Sequence, residues 1–252
     1  MREAGAVPAT IALRDGHLIV GADDALLEAL AARDDVRKVS VRDLAPVLAR
    51  RALGATTVAA SLEVAALAGI AVFATGGIGG VHRGAERSDD VSADLLAIAA
   101  RPVCVVCAGA KSILDIPRTL ERLESLGVPV ITVGADEFPA FTVRSSGLRS
   151  PYRSDDPGEI ARIARLRLAQ GGGVVVALPL PADQAVDERT AQEALAEAVD
   201  AAARAGVSGA ELTPFLLRSI AARDARTLRA NVALLRANAR LAGQIAAALS
   251  LL

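Results

Sequence analysis

Residues 103–127 read VCVVCAGAKSILDIPRTLERLESLG. The first five are apolar without a break and rich in valine, the pattern of a strand buried on both faces. Gly109 ends that run, and SILDIPRTLERLESLG, residues 112–127, carries apolar residues at helical spacing. A doubly buried strand that feeds a helix is the repeating unit of a parallel α/β sheet.

Working outward, the unit recurs. IAVFAT (70–75) is a strand, followed by the glycine-rich GGIGGVHRG (76–84) and the helix VSADLLAIAA (91–100), with Ser92 or Asp90 near its start. VPVITVG (128–134) is a strand, and DDPGEIARIARLRLAQ (155–170) is a helix with Pro157 in its first turn. GGVVVALPLP (172–181) is a strand that ends at prolines. Towards the start, ATIALRDGHLIVGA (9–22) reads as a hairpin around Asp15-Gly16. The helix DDALLEALAAR, the short strand VRKVS and the helix VRDLAPVLARR, capped by Ser40, follow. TTVAASLEVAALAG (56–69) reads as an apolar helix, and the chain is mostly helical from about Asp187. The expected fold is α/β: three α/β/α layers with a largely parallel sheet and a helical C-terminal portion, in a single domain over 1–252. Ligands of such sheets sit at the carboxyl ends of the strands.

The composition sets bounds. The 252 residues are 52% hydrophobic but only 2% aromatic, so the core is built of small aliphatic side chains. A net charge of −1 gives no support to a nucleic-acid partner. No apolar run reaches membrane-spanning length and no signal peptide opens the sequence, so no membrane association is expected. Two cysteines and no disulfide framework suggest a reducing cytoplasm. Cys104 and Cys107 form a C-x-x-C inside a strand, where an odd separation points them to opposite faces. They read as core residues rather than a redox or metal pair.

Three features carry chemistry. TGGIGGVHRGAE (75–86) sets four glycines ahead of His82 and Arg83 but matches neither the G-x-G-x-x-G nor the Walker spacing. Its backbone N–H groups suit a phosphate or sugar phosphate; the competing reading is a flexible surface loop. SDDVSAD (88–94) places Asp89, Asp90 and Asp94 around Ser92, a set suited to a hard divalent ion or sugar hydroxyls, or simply to a helix N-terminus. The third feature is a pair of lysines. Of the 28 Lys and Arg residues, only Lys38 and Lys111 are lysine. Arginine supplies charge as well as lysine does, but it cannot give up its proton near neutral pH. A lysine retained in an arginine-rich chain is a candidate nucleophile, able to form a Schiff base once partly buried.

The same stretches carry a family resemblance. GAVPATIA, KVSVRDL, GATTVAA, ALAGIAVFATGGIGGVHRGAE, DVSADL, CAGAKSILDI, DEFPAF, YRSDDPGEIA, ELTPFLL and ANVALLRANARLA resemble the pseudouridine-5'-phosphate glycosidases, a family that includes indigoidine-synthase-A-like proteins. The resemblance runs over effectively the whole chain. It implies cleavage of the C–C bond between uracil and ribose 5-phosphate with a divalent metal, Mn2+. It places the imine-forming nucleophile at Lys111 and an assisting amine at Lys38. It puts the metal on Asp90 and substrate contacts at Val58, Ser92, Ala93 and Asp94. Thr75 and Asn231 would read the base, and His82 would lie beside the sugar phosphate. The implied partner is a small nucleotide, and the implied assembly a homotrimer. The chemistry is coherent: a carbon leaving group defeats simple acid hydrolysis of the paired-carboxylate kind, and covalent capture by an amine divides the step in two. The family pattern also carries several dozen residues ahead of GAVPATIA, among them an acid that donates a proton. Glu3 does not replace that acid. A sugar-phosphate-binding homologue with impaired catalysis, or an enzyme of an indigoidine-type pathway, is therefore the alternative expectation. Pro117 and Leu178 depart from the pattern, as does the ARDARTL stretch.

Overall fold

The computed structural model describes residues 1–207, 212–223 and 225–252. Glu211, which opens ELTPFLL, and Asp224, within ARDARTL, lie outside the described residues.

Among the described residues the strands form two main sheets, a small one besides the parallel one expected, and a two-stranded ribbon. The smaller contains β1 (Ile11–Arg14), β2 (His17–Val20), β3 (Arg37–Val39) and β4 (Gly54–Thr56), in the order β2-β1-β4-β3. β1 and β2 make the expected hairpin, with Arg14 opposite His17. Asp15 and Gly16 both have positive φ, 54° and 82°, which suits the right-handed twist of a two-residue hairpin. β3 runs parallel to β4 and is the outer strand, so Lys38 sits on the edge of this sheet. Between β2 and β4 lie α1 (Asp24–Ala32), capped by Asp23, and α2 (Leu44–Ala49). β4 is a correction: its three residues precede so apolar a helix, α3 (Val58–Leu67), that the run reads as one element.

The larger sheet is wholly parallel, in the order β10-β9-β11-β7-β5: β5 is Val72–Ala74, β7 Cys104–Cys107, β9 Val130–Thr132, β10 Tyr152–Arg153 and β11 Val174–Ala177. Side-chain alternation splits its core in two. Cys104, Val106, Ile131, Val174 and Val176 face α7 (Pro157–Ala169) and the long α10 (Ala225–Leu249), meeting Ile160, Ala164, Leu241 and Ile245. Val105, Cys107, Val130 and Val175 face the other way, onto α3, α5 (Ala93–Ala100) and α6 (Ile116–Ser125) through Leu62, Leu95, Ile98 and Leu123. These are the three expected layers. Each fully buried valine or leucine contributes about 1.5–3 kcal/mol of transfer free energy. The two cysteines fall in different halves of the core, and burial pushes both thiols up to about 12. They are inert core residues.

Two further differences lie next to the site. β6 (Val81–His82) and β8 (Leu114–Asp115) form a short antiparallel ribbon, so α6 begins at Ile116 rather than Ser112. Between β6 and α5 is a single helical turn, α4 (Ala85–Ser88). The helical portion continues with α8 (Glu188–Arg204) and α9 (Leu212–Arg223). No helix of the described residues is long and apolar enough to cross a membrane.

Candidate active site

The glycine-rich stretch is not a flexible loop. It extends the β5–β7 pairing beyond the sheet. Thr75 N donates to Val106 O at 2.9 Å, Ala108 N to Gly76 O at 2.8 Å, Ile78 N to Gly109 O at 3.1 Å and Lys111 N to Ile78 O at 3.1 Å. The two carboxyl-end loops therefore run as one ladder, and Lys111 is its last rung. Small residues are required for this approach. A Cβ on Gly77 would meet the Phe141 ring at 2.7 Å, and one on Gly109 would meet Pro139 O at 1.9 Å. Gly109 also has φ +82°, a conformation that side chains disfavour.

Four amides between Ile78 and His82 donate to protein partners. Besides Ile78 N, Gly79 N donates to Asp94 Oδ2 at 2.8 Å, Val81 N to Thr119 Oγ1 at 3.0 Å and His82 N to Asp90 O at 3.0 Å. Asp94 is 5% exposed, and its other oxygen accepts from Ala59 N at 2.8 Å, in the first turn of α3. One carboxylate thus ties α3, α5 and the glycine stretch together. Thr119 and Asp94 are the braces that sequence reasoning did not foresee as such. Ser92 caps α5 through Asp94 N and lies so close that a Cβ on Gly79 would meet its Oγ at 2.2 Å.

The remaining groups gather round this ladder. Burial holds the Lys111 amine below its ordinary value; Lys38 pushes in the same direction and Asp94 opposes. His82 is also lowered, first by burial, then by Lys111 and Lys38, against the pull of Asp90. The imidazole Nδ1 is 3.8 Å from Asp90 Oδ2, and Nε2 is 3.5 Å from Thr213 Oγ1. The small sheet thus brings Lys38 within electrostatic reach of groups at the carboxyl end of the large one. Asn231 reaches the ladder from α10, its Oδ1 3.5 Å from the point a Cβ on Gly76 would occupy. Val58 is buried at the start of α3, and Ala93 is exposed at the start of α5. Lys38, Thr75, His82, Asp90, Ser92, Asp94, Lys111 and Asn231 are thus linked through the ladder or by charge, and Val58 and Ala93 adjoin it along the chain, next to Ala59 and Asp94. Glu3 does not: it is exposed in a short turn, and its neighbours Met1 and Ala4 pack against Gly243 of α10.

Asp90 is half-exposed. Among the described residues no group of three His, Cys, Asp or Glu could enclose a metal ion. A single carboxylate suits a hard divalent ion that keeps its waters and takes oxygens from a phosphorylated substrate. The donor chemistry at Asp90 fits that open kind of site and no closed one.

Fold and site define a class: an α/β protein with a half-buried lysine, its amine lowered by desolvation, at the carboxyl end of a parallel sheet and a second lysine within electrostatic reach. Comparison with known proteins makes the class specific. The family model described as "Indigoidine synthase A like protein" matches residues 1–248, and the chain belongs to that family. A pseudouridine-5'-phosphate glycosidase of Jannaschia sp. (strain CCS1) is 52% identical over 253 residues, spanning 99% of this chain and 84% of the relative. One of Paracoccus denitrificans (strain Pd 1222) is 52% identical over 255 residues, with the same coverage. Among solved structures, the prealnumycin C-glycosynthase in complex with ribulose 5-phosphate superposes with a TM-score of 0.91 at 42% identity, covering 99% of this chain and 83% of that one. An indigoidine synthase A-like protein of Thermotoga maritima superposes with a TM-score of 0.88 at 35% identity, covering 97% and 82%.

Proposed function

We propose that this chain is a pseudouridine-5'-phosphate glycosidase. It cleaves the C–C glycosidic bond of pseudouridine 5'-phosphate reversibly, to uracil and ribose 5-phosphate, through an imine on Lys111. The observation that carries the reading is the Lys111 amine, lowered by burial and by Lys38 at the end of the β7 loop. A neutral amine is the form that attacks carbon.

The steps follow from that lone pair. Lys111 Nζ bonds to C1′ as the C1′–O4′ bond opens and O4′ takes a proton. The imine then forms as the C1′–C5 bond breaks and uracil C5 takes a proton. Water hydrolyses the imine, which releases ribose 5-phosphate and restores the amine. Lys38 favours the neutral amine and attracts the sugar phosphate, with His82 beside it. Ser92, Ala93, Asp94 and Val58 line the sugar, with Asp94 also fixing the loop, and Thr75 and Asn231 read the base. Asp90 would hold the divalent cation, Mn2+ in this reading, which supplies positive charge to substrate oxygens when bound. Curated relatives of that name and a solved relative holding a pentulose 5-phosphate support the assignment. A trimeric, cytoplasmic enzyme belongs to the same proposal, and light scattering tests the assembly.

The decisive experiment is borohydride reduction in the presence of ribose 5-phosphate. One adduct should appear by intact mass and map to Lys111. A folded, metal-loaded sample that gains no mass sinks the imine reading.

A further inference from the structure

Asn238 is 1% exposed, within the α10 face that packs on the large sheet. Its Nδ2 donates to Thr75 O at 2.8 Å and to Gly76 O at 3.3 Å. Its Oδ1 is buried without a hydrogen-bond partner. The two carbonyls fix the orientation of the amide, since a flipped amide would set oxygen against oxygen.

The position of that contact matters. In β5 and β7 the register pairs Val72 with Cys104 and Ala74 with Val106, and Thr75 N follows it by donating to Val106 O. A regular parallel ladder would then have Ala108 N donate to Thr75 O. Here Ala108 N donates to Gly76 O instead, and the ladder resumes with Ile78 bridging Ala110. The hydrogen-bonding residues therefore change from odd to even numbers between Thr75 and Ile78. Thr75 O, displaced from the ladder, is the atom that Asn238 takes. Lys111 N is bound one rung further on, to Ile78 O.

We propose that Asn238 is a positioning residue for the Lys111 reaction: by holding the Thr75 and Gly76 carbonyls it maintains the break in ladder phase that sets where Lys111 lies. It touches no reacting atom. Asn231, two turns earlier on α10, borders the same Gly76, so one helix sets both the loop and the residue assigned to the base. The inference rests on Lys111 being the reacting amine.

The test compares Asn238→Ala and Asn238→Asp with the unchanged chain. The alanine variant should lower kcat by about 10–100-fold, the scale of a small misplacement of reacting groups, with KM changed less than threefold. The aspartate variant is near-isosteric. As a carboxylate it only accepts, but protonated it donates to Thr75 O again. A buried carboxyl facing two carbonyls titrates above its usual range. The ratio of Asn238→Asp to unchanged activity should therefore rise as pH falls. A ratio flat with pH, or variants that lose melting temperature while each folded molecule keeps its kcat, would overturn the positioning role. If the alanine chain does not fold, the aspartate ratio decides alone. If the aspartate chain does not fold either, Asn238→Ser, a shorter donor, should regain part of the kcat; a serine chain with full kcat or none would also overturn it. Borohydride trapping on the unchanged chain separates this failure from failure of the imine reading: a trapped adduct with unaffected variants removes Asn238 only.

Discussion

Lys38 and Lys111 are the same residue type on two different supports. Lys38 is exposed on β3, the edge of the small mixed sheet. Lys111 closes a hydrogen-bonded ladder at the carboxyl end of the large parallel sheet and is the group whose protonation the surroundings depress. In the proposed reaction the two supports give lysine two roles, a charge at Lys38 and a nucleophile at Lys111. Desolvation beside the glycine ladder favours the neutral form of Lys111. The two are coupled, since Lys38 is among the causes that lower Lys111.

Breaking the buried side of that comparison has the largest expected effect. Lys111→Arg keeps the charge and removes the nucleophile, so turnover should fall by more than about 10³-fold, as when a covalent nucleophile is removed elsewhere. The adduct with ribose 5-phosphate should vanish, with the melting transition retained. An arginine variant with measurable trapping elsewhere on the chain would move the nucleophile.

Lys38 tests the exposed side. Lys38→Met removes a charged contact to the sugar phosphate, so KM should rise by about 10–100-fold, the equivalent of a charge-assisted hydrogen bond. It also removes a cation that lowers Lys111, so the alkaline-rising limb of the pH–rate profile should move to higher pH. Lys38→Arg should leave that limb in place. Equal limbs in all three proteins would show that the two amines do not communicate.

The rigidity of the ladder gives a smaller effect. Gly79→Ala places a Cβ 2.2 Å from Ser92 Oγ and 2.8 Å from Asp94 Oδ2. Both neighbours are committed, one as a helix cap and one as a brace, so the chain must shift. Chemical denaturation should show a loss of about 1–3 kcal/mol, the range for overpacking. A neutral result would mean the glycines serve mobility rather than close packing.

Much of this was legible in the sequence. The runs 103–108 and 172–178 are apolar throughout because β7 and β11 are covered on both faces, and the Asp15-Gly16 hairpin announces itself through its turn. The candidate site residues come from lysine usage and the family resemblance. What was missed depends on distance along the chain. β4 and the β6–β8 ribbon are two or three residues long, too short for a period to register. Asp94 looks like a surface acid in SDDVSAD, and only its bonds to Ala59 N and Gly79 N, 35 and 15 residues away, show it as an internal brace. Asn238 did leave a signal: a polar residue on the face that also carries Leu234, Leu241 and Ile245, all buried. An amide in that row has to be answered by a polar partner, but the sequence does not say by which.

The smallest prediction concerns stability and separates the two lysines without any substrate. The folded-state value of Lys111 lies below the ordinary 10.5, so between that lowered value and 10.5 the unfolded chain binds a proton that the folded chain does not. Stability then rises with pH across this window and is least below it, where the folded chain must bury the charged amine. Lys111→Met has no such group. Its advantage in melting temperature over the unchanged chain should be greatest below the window and shrink as pH climbs towards 10.5. Taking the difference between the two proteins cancels the groups that titrate alike in both. Lys38→Met removes only one of the causes that lower Lys111, so its trend across the same window should be smaller. If the two differences ran parallel with pH, burial would not distinguish the lysines, and the nucleophile would have to be assigned on other grounds.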